Sequence, residues 1–472
     1  MSRHQFDLPV VVERRTELPL SVQVGRQLRE AMNDGRVRAG ERLPSSRALA
    51  SALGVSRTVV TAAYEQLYAE GWLEGRHGSG TYVADIATDD AVRAESTAHR
   101  GPGRPAEAPD IDLRPGIPWV DGLDTPAWRR AWRLAVTVPP VARPDPRGLP
   151  GLRTALVDYL RRSRGVACSR ERVLVTRGAT NGLDLLAATI VRPGDRVGVE
   201  EPGYPTAREV LAARGAEVVP CPVDEDGLVV DALPGGLRLI YTTPSHQYPL
   251  GGRLPVPRRQ ALLAWARRNG ALVVEDDYDS EFRYDVAPLP ALYGLGPDLT
   301  IYLGTTSKTL APGLGAGWLV ARPDLVEAIA ETRGRLSDRT AVVPQEAVRI
   351  LLERGDLDRH VRRMRAEYAR RRVAVVETLG HLPLRGDTAG LHLVVELPEG
   401  VTGEVTERAA ERGVLLATLE ERHAVTPGVH GLVIGYGGAT EPQIRSGCSL
   451  VRELVREAVR AAAAEPARHR RT

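Results

Sequence analysis

The chain has almost no lysine. Among its 63 Lys and Arg residues there is a single one, Lys308. Cysteine is scarce too. Cys168, Cys221 and Cys448 are scattered, odd in number and without metal-ligand spacing, which argues against a disulfide framework and for a reducing compartment. An excess of one charge is lacking: the formal net charge is +3 over 472 residues, so the whole molecule is no polycation. No apolar run approaches the length of a membrane span, and the opening MSRHQFDLPVVVERR has no apolar signal core. These absences predict a cytoplasmic protein with no membrane partner and no metal. The length predicts two or three domains. The richness in Arg, Ala and Gly is a compositional background from which no function is read.

Arginine matches lysine in charge but cannot serve as a primary amine. Only an amine that sheds its proton condenses with an aldehyde to a Schiff base. An Arg-rich chain must also place a stray lysine somewhere by chance, so the surroundings of Lys308 have to decide.

Three textures follow one another along the chain. Residues 1–84 are compact and helix-patterned. Residues 85–111 are rich in Pro, Ala, Gly and Asp with little to bury, and read as a flexible linker. From 112 to 460, helical stretches alternate with β-branched runs: VLVT (173–176), RVGVE (196–200), LRLIYTT (237–243), ALVVED (271–276), LTIYLG (299–304) and AGWLVA (316–321). That alternation predicts an α/β domain with a mostly parallel sheet covered on both faces. Its last part, about 357–460, has long helices and the strand-like LHLVVEL (391–397), and reads as a smaller α+β lobe. Residues 461–472 read as a disordered tail.

In the first zone a helix over 18–33, a short helix over 45–54 closed by Gly54, a helix from 55 to 71 opened by Ser56, and a Gly-tipped hairpin over 72–84 give the order of a winged helix-turn-helix. Residues 1–85 hold 11 Arg and 10 acids, but residues 36–57 hold five Arg and one acid. Arg57, Thr58 and Thr61 fall near the start of the second helix of the motif, where side chains reach base edges or phosphates. Arg76 and His77 fall at the wing tip. The run GRVRAGERLPSSRALASALGVSRTVVTAAYEQLYAEGWLEGRHGSGTYV closely resembles the GntR family of bacterial regulators. The resemblance implies operator contacts at Arg47, Arg57, Thr58, Thr61 and His77.

In the second zone several loops follow strands. TRGATNGLDLL (176–186) is a strand end, a Gly turn and a helix start, whose unpaired amides suit a phosphate. EEPGYPTAR (200–208) places Tyr204 in a Pro/Gly loop, where its ring either stacks on a flat ligand or packs locally. VVEDDYDSEFRY (273–284) ends a strand in acids, where open α/β sheets place ligands. Thr305-Thr306-Ser307-Lys308 follows another strand. A phosphate turn, an aromatic platform, a carboxylate and a unique amine are together what pyridoxal 5′-phosphate (PLP) requires.

With DPRGLPGLRTAL, EEPGYP, TPSHQYPLGG, EDDYDSEFRY and TTSKTLAPGL, the stretch 112–460 resembles fold-type I PLP-dependent aminotransferases. The joined arrangement resembles the MocR subfamily of GntR regulators. The resemblance implies that Lys308 is the Schiff-base lysine, Asp276 the partner of the pyridine nitrogen with Asp277 as the alternative, Tyr278 the tyrosine near the ring oxygen, and Tyr204 the stacking ring. It puts Ala179, Thr180, Thr305 and Ser307 at the phosphate, and His246 and Gln247 in the loop facing the ring. It also implies a head-to-tail homodimer that binds double-stranded operator DNA and a small-molecule effector.

Two positions break the pattern. In SKTLAPGLGAG, Gly315 stands where the family places the arginine that pairs with the cofactor phosphate. In HGLVIGYGG, Val433 stands where an arginine would clamp an amino acid's α-carboxylate. Losing charge-assisted bonds of this kind weakens PLP roughly ten- to a hundredfold unless another arginine substitutes, and removes the orientation that transamination needs. The expectation is therefore a regulator that senses PLP or an amine-type ligand rather than an enzyme. The alternatives are an active aminotransferase fused to a DNA-binding module, and a pocket that has lost PLP and senses another ligand.

Overall fold

The computed structural model describes residues 10–14, 16, 18–34, 36–76, 80–84, 110–286 and 289–469. The chain divides into two compact units, residues 1–107 and 108–472. The wing tip with His77, and most of the expected linker, lie outside the described residues.

In the first unit, α1 (Leu20–Asn33) buries Val24, Leu28, Ala31 and Met32, a stripe at helical spacing. α2 (Ser46–Leu53) begins at Ser45, whose side chain accepts from the Ala48 amide at 3.2 Å, and ends at Gly54. α3 (Arg57–Ala69) begins at Ser56, but the Ser56 hydroxyl makes no cap bond. It lies 2.7 Å from the Thr58 hydroxyl instead. Val60, Ala63 and Leu67 of α3 pack into one core with Leu28, Leu49 and Leu73. Tyr64 is buried with its hydroxyl donating to the Pro44 carbonyl at 2.9 Å. The wing pairs β1 (Leu73–Arg76) antiparallel with β2 (Gly80–Val83), and Arg42 adds a bridge to Tyr82.

The second unit opens with β3 (Ile111–Asp112) and is built on an eight-stranded sheet. Its strands are β4 (Val173–Thr176), β5 (Arg196–Glu201), β6 (Glu217–Asp224), β7 (Gly227–Leu228), β8 (Leu239–Thr242), β9 (Leu272–Asp277), β10 (Thr300–Thr305) and β11 (Gly317–Val320), in the order 4-11-10-9-8-5-6-7. β10, β9, β8, β5 and β6 are parallel neighbours, while β11 runs against both β10 and β4. Side chains alternate between two cores: Leu174, Ile301 and Leu303 pack with the helices Ala179–Ile190 and Pro323–Arg335, whereas Val173, Val175 and Tyr302 pack with the helix Pro150–Arg164. Both faces are covered, so the strands read as continuous apolar runs.

The smaller lobe is an antiparallel sheet of β12 (Leu384–Arg385), β13 (His392–Glu396), β16 (Gly431–Gly435) and β15 (Ala417–Thr418), in that order. The helices Asp356–Leu379, Val401–Glu411 and Glu441–His469 supply Leu379, Val405 and Leu454 to the core that holds Leu393, Val395, Leu432 and Ile434. β14 (Val414–Leu415) pairs in parallel with β3.

Two expectations are corrected here, and one strand is added. The last helix runs on to His469, so residues 461–469 are not a disordered tail; the run of four alanines at 461–464 favours helix strongly. The linker does not reach 111, because the Ile111 amide donates to the Gly413 carbonyl at 3.1 Å. β6 was not expected at all: Pro220 and Pro222 argue against a strand, yet prolines are tolerated toward a sheet's margin, and β6 has only the two-residue β7 beyond it.

Candidate functional site

β4, β5, β8, β9 and β10 run the same way, so their carboxyl ends converge on one edge, where open α/β sheets gather ligand-binding loops. A cavity of about 350 Å³ lies there, and Lys308 lines it. Its Nζ donates to the Gly116 carbonyl at 2.5 Å. Burial pushes the Lys308 ammonium below its ordinary pKa, while the Asp279 and Asp276 carboxylates oppose that shift. The shift eases the loss of the proton that an amine must shed to act as a nucleophile.

The structure separates the two neighbouring acids. Asp276 lines the cavity; its Oδ2 accepts from the Tyr241 hydroxyl and its Oδ1 is buried with no partner. Burial pushes its carboxyl up to about 7, against the Tyr241 bond, with repulsion from Asp277 and Asp279 adding to the rise. Asp277 is spent inside the protein, on Arg164 Nε at 2.5 Å, the Tyr302 hydroxyl at 2.6 Å and the Ser280 hydroxyl.

Tyr204, Tyr278, Ala179, Thr180, Thr305 and Ser307 line the same cavity. The Thr305 hydroxyl donates to the Ser307 hydroxyl at 2.8 Å. The floor at this end requires glycine: a Cβ on Gly317 would come within 2.6 Å of the Gly178 Cα.

His246 and Gln247 do not line the cavity. His246 stands behind it, with Nδ1 2.9 Å from Asp279 Oδ2 and 3.0 Å from the Tyr278 hydroxyl. Gln247 is a latch within the fold: its amide donates to the Pro202 and Tyr248 carbonyls at 2.9 and 2.6 Å, and its oxygen accepts from the Leu250 amide at 3.1 Å. A ring-facing place for Gln247 is therefore corrected, because every one of these bonds turns it inward.

Several lining residues escaped the sequence reading. Pro115, Gly116 and Ile117 come from a segment distant in sequence, and nothing local marks them. Tyr248 sits within the TPSHQYPLGG run, with its ring 6.1 Å from Tyr278 and 5.2 Å from His392. Burial and His246 push His392 down to about 3, so a neutral imidazole faces the cavity. Arg177 also lines it, immediately before the Gly178 turn, where the sequence TRGATNG offered a signal that went unused.

Of the two pattern breaks, Val433 is fully buried on β16 and packs with Leu250, Val394 and Leu419. Gly315 ends the short turn Pro312–Leu314 at φ +54°, and a Cβ there would meet nothing within 4 Å. In the first unit, Arg47, Arg57 and Thr58 are exposed and Thr61 is half-buried. Arg57 Nε donates to the Ser46 hydroxyl at 3.3 Å.

Comparison with known proteins agrees with both halves. The family of bacterial regulatory proteins called gntR matches residues 20–83, and aminotransferase class I and II matches residues 123–435. The HTH-type pyridoxine biosynthesis transcriptional regulator PdxR of Corynebacterium glutamicum is 40% identical, covering 93% of this chain and 96% of its own. The probable rhizopine catabolism regulatory protein MocR of Rhizobium meliloti is 35% identical, covering 94% and 95%. Among solved structures, an archaeal alanine:glyoxylate aminotransferase superposes with a TM-score of 0.70 at 25% identity, over 74% of this chain and 91% of that one. LysN, the α-aminoadipate aminotransferase of Thermus thermophilus, gives 0.68 at 26% identity, over 74% and 93%.

Fold and cavity thus define a transcriptional regulator in which a winged helix-turn-helix unit is joined to an aminotransferase-like unit. The chain belongs to the MocR subfamily of the GntR family.

Proposed function

We propose that the aminotransferase-like unit binds PLP as a regulatory signal and that its occupancy changes the affinity of the winged helix-turn-helix unit for operator DNA. One observation carries this reading: Asp276, whose Oδ1 is buried without a partner, lines the same cavity as the only lysine of the chain. An orphaned buried acceptor is costly, and a protonated ring nitrogen is the partner it lacks. PLP supplies an aldehyde carbon and a pyridine ring whose proton such a carboxylate retains. Lys308 offers the nitrogen nucleophile, Tyr204 a flat apolar face, and Tyr278 a hydroxyl for the ring oxygen. Ala179, Thr180, Thr305 and Ser307 surround the phosphate end. The LysN crystal structure holds a phosphopyridoxyl compound, which supports the same use of this fold.

Signalling is favoured over turnover by Val433. Transamination needs the substrate carboxylate held in register, and Leu250, Val394 and Leu419 around Val433 offer no cation. The absent clamp also favours a vitamin B6 compound itself as the signal, in keeping with the pyridoxine biosynthesis role in the name of the Corynebacterium relative. Arg47, Arg57, Thr58, Thr61 and His77 contact the operator. Two copies, paired head-to-tail, engage a repeated or inverted site in the cytoplasm.

Full-length protein titrated with PLP, reduced with borohydride and mapped by mass is expected to carry the added mass on Lys308. Lys308→Arg, which keeps the charge, is expected to carry none. No added mass at saturating PLP would favour a pocket that recognises something else. Rapid single-turnover amino transfer from any of a panel of amino acids would favour the enzyme.

A further inference from the structure

A phosphate ester needs a cation, and the position that should supply one is Gly315. A Cβ built on Gly315 would meet no heavy atom within 4 Å, so a side chain has room to start there. Among the residues lining the cavity the only guanidinium belongs to Arg177. Arg177 sits between Thr176, the last residue of β4, and Gly178, which precedes the helix Ala179–Ile190. Its backbone amide donates to Asn181 Oδ1 at 2.9 Å, which fixes the turn. Its guanidinium Nη2 pairs with Asp338 Oδ2 at 2.7 Å, where Asn181 Nδ2 also donates at 3.3 Å.

Asp338 is shared. Its Oδ1 takes Arg333 Nε at 3.1 Å. Two guanidiniums on one carboxylate leave a local surplus of positive charge beside the helix start, which an anion would complete. The two arginines are not equivalent. Arg333 is buried and tied to the Pro146 and Val175 carbonyls at 2.9 and 2.6 Å, whereas half of the Arg177 side chain remains exposed. Arg177 is thus the member of the pair free to turn toward a ligand.

We propose that the phosphate-binding cation of this site has moved from position 315 to Arg177, and that Arg177 makes the cavity selective for phosphorylated over unphosphorylated B6 aldehydes. The proposal rests on the PLP reading above and adds to it the residue that sets phosphate selectivity.

The test compares equilibrium dissociation constants for PLP and for pyridoxal, which lacks the phosphate, in full-length wild type, Arg177→Gln and Arg177→Lys. In wild type, PLP is expected to bind more tightly than pyridoxal. Arg177→Gln is expected to weaken PLP about ten- to a hundredfold, the loss of one charge-assisted contact, and to leave pyridoxal within about twofold. Arg177→Lys, which restores charge without the planar fork, is expected to recover part of the preference. Pyridoxal serves as the internal control for folding, since a merely misfolded variant would lose both ligands. If Arg177→Gln keeps the wild-type ratio of the two constants, Arg177 is not the phosphate cation. If wild type binds neither compound, the PLP reading fails and this proposal fails with it.

Discussion

Asp276 is a buried carboxyl whose ionisation weighs on the stability of the fold. Its carboxyl is pushed up to about 7 by burial, well above the ordinary range for aspartate. The folded state therefore holds a proton that the unfolded chain releases, and stability falls as pH rises. The penalty is absent below about pH 4, where both states are protonated, and complete above about pH 7, where both are ionised. Asp276→Asn is expected to raise the stability of the ligand-free protein at pH 8 by on the order of a few kcal/mol, at about 1.4 kcal/mol for each tenfold change in acidity on folding, and to change little near pH 4. Thermal melts of wild type and variant across that range check it: curves that converge at low pH and separate at high pH support the assignment, and parallel curves sink it. The same change is expected to weaken PLP. Residues of this kind were legible in unequal measure. Lys308 stood out because one amine among guanidiniums is chemically distinct. Asp276 and Asp277 were inseparable until β9 gave them opposite faces, one toward the cavity and one toward Arg164. Gln247 failed because an amide in a ligand loop serves a backbone carbonyl as readily as a ligand, and only coordinates tell which.

β16 carries Val433, the second position at which the sequence pattern breaks. Val433 pairs across the sheet with Val394 and with Ala417, and its side chain is fully buried with Leu250 and Leu419. An arginine at 433 is not expected to form a clamp, because Leu250, Val394 and Leu419 offer it no counter-charge. Val433→Arg is expected to cost about 3–5 kcal/mol of stability, as for an unpaired buried ion, and to yield no amino transfer. Denaturant unfolding together with a single-turnover assay measures both. A stable variant that transfers amino groups would show instead that the clamp site is preserved beneath its apolar surface. Strands flanked by loops and made of β-branched residues were readable, VLVT becoming β4 residue for residue. β6 was not, because its prolines carry a local signal that the sheet margin overrides. The pairing of β3 with β14 was equally invisible, since it joins residues about 300 positions apart that share no local pattern.

At the scale of the whole molecule, the proposed regulation is a linkage between two compact units. A ligand shifts an equilibrium only by its differential affinity for the two states, and the shift is reciprocal. If PLP changes operator affinity by some factor, operator DNA must change PLP affinity by the same factor, within the roughly 5- to 150-fold typical of such couplings. Variants in each unit divide the cycle. Arg57→Ala, in the exposed first turn of α3, is expected to weaken operator binding while leaving the PLP titration without DNA unchanged. Lys308→Ala is expected to keep the basal operator affinity and to lose its response to PLP. The measurement is a gel shift or anisotropy titration on the DNA upstream of the protein's own gene, with and without PLP, alongside a PLP titration with and without that DNA. Equal factors from the two directions, abolished together in Lys308→Ala, are the expected outcome. A PLP affinity indifferent to DNA would uncouple the units, leaving a DNA-binding module that merely shares a chain with a B6-binding fold.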